Sequence, residues 1–312
     1  MNAVEISQVT KSFGKTIAVD DLSLVVPAGS IYGFIGPNGS GKTTTLRMIM
    51  NIFFPDQGRI CVLGSENASA CQDRVGYLPE ERGLYRGMRV GELLRFYGEL
   101  KRGREVRQEV EWWLERLGAA AYATKKIEEL SKGMAQKIQF IATVVFGPEL
   151  VILDEPFTGL DPVNTDTLRG AILDLKAKGA TIILSTHDMN VAETMCDSIF
   201  MIFKGRKVLD GTLAAIQDQY ASNVIRIRTA GGAATLGELP EARLVRDYGQ
   251  IQELLVAPGG DPQAILAAVM KRSPVLHFEI TKPSLHDIFV RIAGPQAQAE
   301  AAQPGARLTA VN

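Results

Sequence analysis

The feature that most constrains this chain is the run Gly36-Pro37-Asn38-Gly39-Ser40-Gly41-Lys42-Thr43, which fits the pattern GxxxxGK[ST]. It follows Ile31-Tyr32-Gly33-Phe34-Ile35, which reads as a buried strand. The residues after it carry Leu46, Met48, Ile49 and Met50 inward on a helix expected to begin near Gly41. A strand, a glycine-rich turn and a helix N-terminus in that order make a phosphate-binding loop. The glycines let backbone N–H groups converge on phosphate oxygens, and the helix dipole favours the anion. Lys42 neutralises charge, and the Thr43 hydroxyl can ligate Mg²⁺.

A second constellation is Leu150-Val151-Ile152-Leu153-Asp154-Glu155, an apolar strand ending in two carboxylates. By itself it reads equally well as the start of a turn before Pro156. Downstream of a phosphate loop, Asp154 is expected to hold Mg²⁺ through its water shell, and Glu155 to polarise a water aligned on the γ-phosphate.

Around these motifs, residues 3–35 form short β-like runs broken at Phe13-Gly14-Lys15 and Pro27-Ala28-Gly29. Residues 90–117 read as a helical section, with Leu93, Leu94, Phe96 and Tyr97 at helical spacing and Trp112-Trp113 as core packing. Two β-branched runs, residues 150–153 and 181–184, flank an amphipathic segment at 165–178, a βαβ rhythm that implies a parallel sheet covered by helices. A strand at 199–203 and the turn Lys204-Gly205 close this first domain. Beyond Ser222, alternation at Val224, Ile225 and Ile227 and a strand-helix-strand rhythm to Ile280 suggest a small α+β domain. The Ala/Gln/Pro-rich end from Gly294 reads as a disordered tail.

With 46% hydrophobic residues, 22% charged residues and a formal net charge of -1, the chain has the balance of a globular protein. That balance gives no reason to expect a nucleic acid as its main partner. Cys61, Cys71 and Cys196 show no CxxC spacing, so reduced thiols are expected rather than a disulfide framework or a zinc site. No apolar run approaches the ~20 residues of a membrane-crossing helix, and the first ten residues lack signal-peptide character, so cytoplasmic residence is expected.

Leu130-Ser131-Lys132-Gly133-Met134 lies between the two phosphate-site motifs and precedes an apolar helix and the Asp154-Glu155 strand. In this order the chain resembles the ABC (ATP-binding cassette) ATPases. Their signature LSGGQ is matched at Leu130, Ser131 and Gly133 and departed from at Lys132 and Met134. Gly159-Leu160-Asp161-Pro162 resembles the loop that joins two subunits, and Ser185-Thr186-His187 resembles the switch histidine. Phe13 stands where the family places an aromatic that stacks on adenine, against the plainer reading of an exposed turn. Glu80, in Tyr77-Leu78-Pro79-Glu80-Glu81, stands where the family has glutamine. These variants, with Pro283-Ser284-Leu285-His286-Asp287-Ile288-Phe289, resemble the cassette subunits of bacterial sodium and multidrug exporters.

The resemblance implies an α/β fold: a phosphate-loop ATPase core with β- and helical subdomains over residues 1–215, an accessory α+β domain over 222–293, and a tail over 294–312. It implies ATP and Mg²⁺ as cofactors. Phe13, Gly36, Pro37, Asn38, Gly39, Ser40, Gly41, Lys42, Thr43, Thr44, Ser131 and Gly133 are the implied nucleotide-binding residues. Thr43, Glu80 and Asp154 are implied at the metal, and Glu155 and His187 in catalysis. It also implies a head-to-tail homodimer with ATP between the copies, bound to separate transmembrane permease subunits at the inner face of the cell membrane. Leu84, Tyr85 and Met88 are expected either to line the groove for a permease helix or to form a small internal cluster. Two other classes compete: a cassette ATPase acting on nucleic acid or ribosomes, and a small-molecule kinase. The first lacks the long coiled coil or the second cassette, and the second leaves Ser131, Gly133 and His187 without a role.

Overall fold

The computed structural model describes residues 1–66, 68–81, 83–220, 224–239, 241–257 and 259–301. The chain divides into two compact units, Met1–Thr212 and the remainder from Leu213.

In the first unit the order is β1 (Asn2–Phe13), β2 (Thr16–Pro27), β3 (Ile31–Ile35), α1 (Lys42–Ile49), β4 (Gln57–Val62), β5 (Val75–Leu78), α2 (Val90–Arg102), α3 (Arg107–Arg116), α4 (Lys132–Val144), β6 (Leu150–Asp154), α5 (Pro162–Ala177), β7 (Thr181–Thr186), α6 (Met189–Met195), β8 (Ser198–Phe203) and β9 (Arg206–Gly211). The short β-like runs near the N-terminus prove to be two long antiparallel strands. Register shifts between Ile6 and Val9 and at Lys11 interrupt the alternation that a sequence pattern would display. With β4 they form a three-stranded sheet.

The central sheet has the order β5-β6-β7-β3-β8-β9. Every residue of β3, β6 and β7 is buried, as a parallel sheet covered on both faces requires. One apolar core lies between this sheet and α2–α5, with Leu93, Leu94, Ile138, Phe140 and Ile172 within it. A second lies between the two sheets and α1, around Phe34, Leu46, Ile49 and Phe200.

The helical section is two helices rather than one. Gly103 caps α2 in the left-handed region at φ 66, and its N–H donates to the Glu99 carbonyl at 2.8 Å. The tryptophans also divide. Trp113 is buried against Phe140, whereas Trp112 is 40% exposed beneath the Lys178 ammonium, 3.7 Å from its ring centre. Helix α5 starts where its sequence dictates: Asp161 accepts from the Asn164 N–H, and Pro162 occupies the first turn, where no N–H is needed.

The second unit contains α7 (Leu213–Gln219), β10 (Val224–Thr229), β11 (Ala242–Asp247), β12 (Gln252–Val256), α8 (Pro262–Met270), β13 (Val275–Thr281) and α9 (Leu285–Ala301). Its four strands form an antiparallel sheet in the order β11-β12-β10-β13, with a core of Ile225, Ile227, Leu254, Ile265 and Val269. The expected tail from Gly294 is corrected in part, because α9 continues through Ala301. Gly294 and Pro295 are poor helix formers; the Ala, Gln and Glu residues after them have high helix propensity. Residues 302–312 lie outside the described residues.

Candidate functional site

The parallel register brings three strand ends together. Asp154 pairs with Ser185 between β6 and β7, and Ile35 with Thr186 between β3 and β7. The loop after β3, the acids at the end of β6 and the histidine after β7 therefore share the carboxyl edge of the sheet, where ligands bind open α/β sheets.

The loop between β3 and α1 needs its glycines. A Cβ on Gly36 would lie 2.2 Å from the Ile202 carbonyl oxygen, and one on Gly41, at φ 109, would lie 2.5 Å from that of Ala18. Lys42, only 6% exposed, curls over the loop and donates to the carbonyls of Gly36 at 2.6 Å and Pro37 at 3.1 Å. Burial pulls its pKa below the ordinary lysine value, while Glu155, Asp154 and Glu80 act in the opposite direction. A cation under that tension favours a bound anion.

The Thr43 hydroxyl donates to one Asp154 oxygen at 3.0 Å. The other Asp154 oxygen is buried without a hydrogen-bond partner, as is the Ser40 hydroxyl. Among the described residues no cluster of three or more His, Cys, Asp or Glu side chains could cage a metal. A hydroxyl, an orphaned carboxylate oxygen and phosphate oxygens are the hard, incomplete donor set that Mg²⁺ accepts. The residues fit that ion bound together with a nucleotide.

Glu155 follows β6 in the left-handed region at φ 50, which is uncommon for a residue with a side chain. Its N–H donates to the Ser185 carbonyl at 3.0 Å. Its carboxylate accepts from the His187 N–H at 2.9 Å and lies 2.8 Å from His187 Nδ1, with the Thr186 hydroxyl at 3.4 Å. The backbone thus turns this acid away from the sheet, and the histidine loop grips it.

A cavity of about 280 Å³ gathers Asn38, Gly39, Gly41, Lys42, Thr43, Thr44, Glu80, Asp154 and Glu155. Ala18 of β2 also lines it; a small residue on a strand carries no signal that sequence reasoning could have used. Phe13 is absent from the lining. It ends β1 at the hairpin, 45% exposed, with its ring edge-on to Phe53 at 5.3 Å. Ser131 and Gly133 lie outside the cavity too, at the start of α4, where the Ser131 hydroxyl accepts from the Met134 N–H at 3.3 Å.

A separate depression of about 240 Å³ is lined by Tyr77, Leu84, Tyr97, Lys101, Phe146 and others. Tyr85, 58% exposed, stacks on Tyr97, whereas Leu84 and Met88 pack partly against the core. The groove and the internal cluster, posed as alternatives, share Leu84.

A family model described as ABC transporter matches residues 19–158, which span the phosphate loop, the signature segment and both acids. An uncharacterized ABC transporter ATP-binding protein of Bacillus subtilis is 39% identical over 93% of this chain and 98% of its own length. The chain belongs to the ABC transporter ATP-binding proteins. Within that family, this cassette is 33% identical to the Nod factor export ATP-binding protein I of Rhizobium leguminosarum bv. viciae, over 95% of this chain and 96% of that one. A solved structure of an ATP-binding subunit of an ABC transporter superposes with a TM-score of 0.66 at 30% identity, covering 70% of this chain and 93% of the other. A model described as ATP-binding protein DrrA1-3-like, C-terminal domain, matches residues 211–293 of the chain, and one for an AAA domain matches residues 124–193. The fold and the family expected from the sequence are those found.

Proposed function

We propose that this cassette subunit hydrolyses ATP to power a separate membrane-spanning partner, and that the transport is export. The observation that carries the reading is the convergence of Lys42, Thr43, Glu80, Asp154 and Glu155 on one polar cavity, with Glu155 gripped by His187. The loop N–H groups and Lys42 bind the phosphates. Glu155 orients a water and takes its proton, and His187 holds Glu155 and senses the γ-phosphate. When bound, Mg²⁺ would neutralise phosphate charge from Thr43, Asp154 and Glu80. Phe13, exposed at the end of β1, supplies a face for adenine.

The exposed Ser131 and the Gly133 N–H act on a second copy's nucleotide, which makes the working unit a head-to-tail dimer. Among the described residues no helix is long and apolar enough to cross a membrane, so the motion is delivered to another polypeptide at the inner face of the membrane. The surface of Leu84, Tyr85 and Met88, beside the depression that Leu84 and Tyr97 line, receives it. Export rests on the likeness to the Nod factor export protein.

Glu155→Gln tests this reading. It keeps the hydrogen-bonding shape but loses the base, so phosphate release should slow by about 10²–10⁴-fold. ATP should remain bound and a dimer should accumulate in size-exclusion chromatography with ATP and Mg²⁺. Wild-type turnover in this variant would refute the assignment.

A further inference from the structure

Phe13 ends β1, and its register partner Thr16 stands two residues before Ala18, which lines the phosphate cavity. Two residues of strand span about 7 Å. The loop between α1 and β4 holds this hairpin end. Asn51, in the left-handed region at φ 58, turns the chain back on α1, and the Arg47 carbonyl accepts from the Ile52 N–H at 2.9 Å and the Phe53 N–H at 3.2 Å. Phe53 packs partly against the second core and meets the Phe13 ring edge-on, with ring centres 5.3 Å apart. Asp56 fastens the residues before Phe13: one oxygen accepts from the Lys11 ammonium at 2.8 Å, the other from the Ser12 N–H at 2.7 Å. The Asp56 N–H donates in turn to the Thr10 carbonyl at 2.8 Å. Residues 10–13 are thus fixed by Phe53 and Asp56, yet Phe13 stays 45% exposed. A contact made to bury the ring would cover it; this one sets its place and leaves nearly half of it open.

We propose that Phe53 and Asp56 are positioning residues for the adenine of ATP. They hold Phe13 in a fixed place relative to α1, whose first residue is Lys42, so that one helix sets the spacing between the base and the phosphates. Their role presupposes that adenine stacks on Phe13. An aromatic side chain at an unbraced hairpin end loses conformational freedom when a base stacks on it, and ATP affinity falls accordingly. A ring already held in place loses little. Neither Phe53 nor Asp56 lines the phosphate cavity, so both act through Phe13 rather than on the phosphates.

The test is equilibrium titration of the full chain with ATP and with inorganic tripolyphosphate, each with Mg²⁺. Phe53→Leu keeps an apolar side chain but removes the ring, and Asp56→Asn keeps an acceptor for the Ser12 N–H but removes the charge that holds Lys11. Each should lower ATP affinity about three- to tenfold and leave tripolyphosphate affinity unchanged. Phe53→Tyr, which retains the ring, should bind ATP like the wild type. Phe13→Ala should lower ATP affinity at least about fivefold, and in that background Phe53→Leu and Asp56→Asn should have no further effect. Asp56 is exposed, so Asp56→Asn keeps the test open if Phe53→Leu does not fold. A contact that only packs behaves differently: its loss would weaken both ligands alike, or lower ATP affinity with the Phe13 ring already gone, and either result overturns the proposal. If Phe13→Ala weakens ATP binding while Phe53→Leu and Asp56→Asn do not, the positioning role falls and adenine stacking on Phe13 stands. An ATP affinity unchanged in Phe13→Ala would remove both.

Discussion

The phosphate loop and the signature segment, both at helix N-termini of the first unit, differ in how completely the chain furnishes them. At the loop, Lys42, Asp154 and Glu155 are 6%, 1% and 8% exposed and already linked to neighbouring groups. At the start of α4, Ser131 and Lys132 face solvent, and the Ser131 hydroxyl caps only its own helix. Burying charges is costly, and a fold bears that cost where a ligand of opposite sign recovers it. The loop is therefore built for binding within one chain. Ser131, Lys132 and Gly133 line no part of the phosphate cavity, and the one buried charge of α4, Lys137, lies deeper in the helix and donates to the Leu117 carbonyl.

The largest effect expected from this difference is at Lys42. Lys42→Ala leaves Asp154 and Glu155 facing the triphosphate without the neighbouring cation, and loss of one member of a buried charge cluster costs roughly 3–5 kcal/mol. ATP affinity measured by equilibrium titration should fall at least about a hundredfold. Unchanged ATPase activity would remove the phosphate loop from the mechanism altogether.

A smaller effect is expected at Ser131, and it should appear only in the dimer. Ser131→Ala removes a helix cap worth about 1 kcal/mol and, in the proposed sandwich, a hydrogen bond to phosphate worth roughly 1.5–3 kcal/mol. ATP affinity of the monomer should be unchanged, while ATP-dependent dimerisation in the Glu155→Gln background weakens by about ten- to a hundredfold. Ser131→Asp separates the two roles. It keeps the cap but sets a carboxylate against the phosphates, so it should restore helix stability and still abolish the dimer. If Ser131→Asp dimerises like its parent, the hydroxyl is only a cap.

How much of this could be read beforehand follows from how local each feature is. The strand, loop and helix from Ile31 to Ile49 are contiguous, and their residue types dictate their conformation, so this local structure was legible. The left-handed turn at Glu155 was not. It depends on the N–H reaching Ser185 across β6 and β7, a contact set by sheet register rather than by neighbours in sequence. The grip of His187 on Glu155 has the same origin. Residues 2–27 hid two long strands because bulges broke the period on which the reading relies. The break at Gly103 was legible in principle, since a glycine after Lys101 and Arg102 is a helix stop signal. Helix α9 runs past Gly294 and Pro295, where propensity and periodicity both signal a stop.

The smallest effect concerns Glu80, where the chain departs from the glutamine of its family. Glu80 lines the phosphate cavity together with Asp154 and Glu155, and its charge acts on Lys42. A neutral amide oxygen ligates Mg²⁺ weakly, whereas a carboxylate is a stronger hard-oxygen ligand. Without the metal, the same charge repels the triphosphate. Glu80 is itself exposed, so solvent screens both effects and neither is large. Glu80→Gln should therefore leave a working ATPase while narrowing the gap between ATP affinity with Mg²⁺ and with chelator by about fivefold. The sign is fixed on both sides: the variant binds ATP more tightly in chelator and slightly less tightly with Mg²⁺. Titrating both proteins under both conditions reads the difference directly. An equal gap in the two proteins would take Glu80 out of the metal's surroundings, and Glu81, whose carbonyl receives the Gln139 side-chain amide at 3.3 Å, would be the next residue to test.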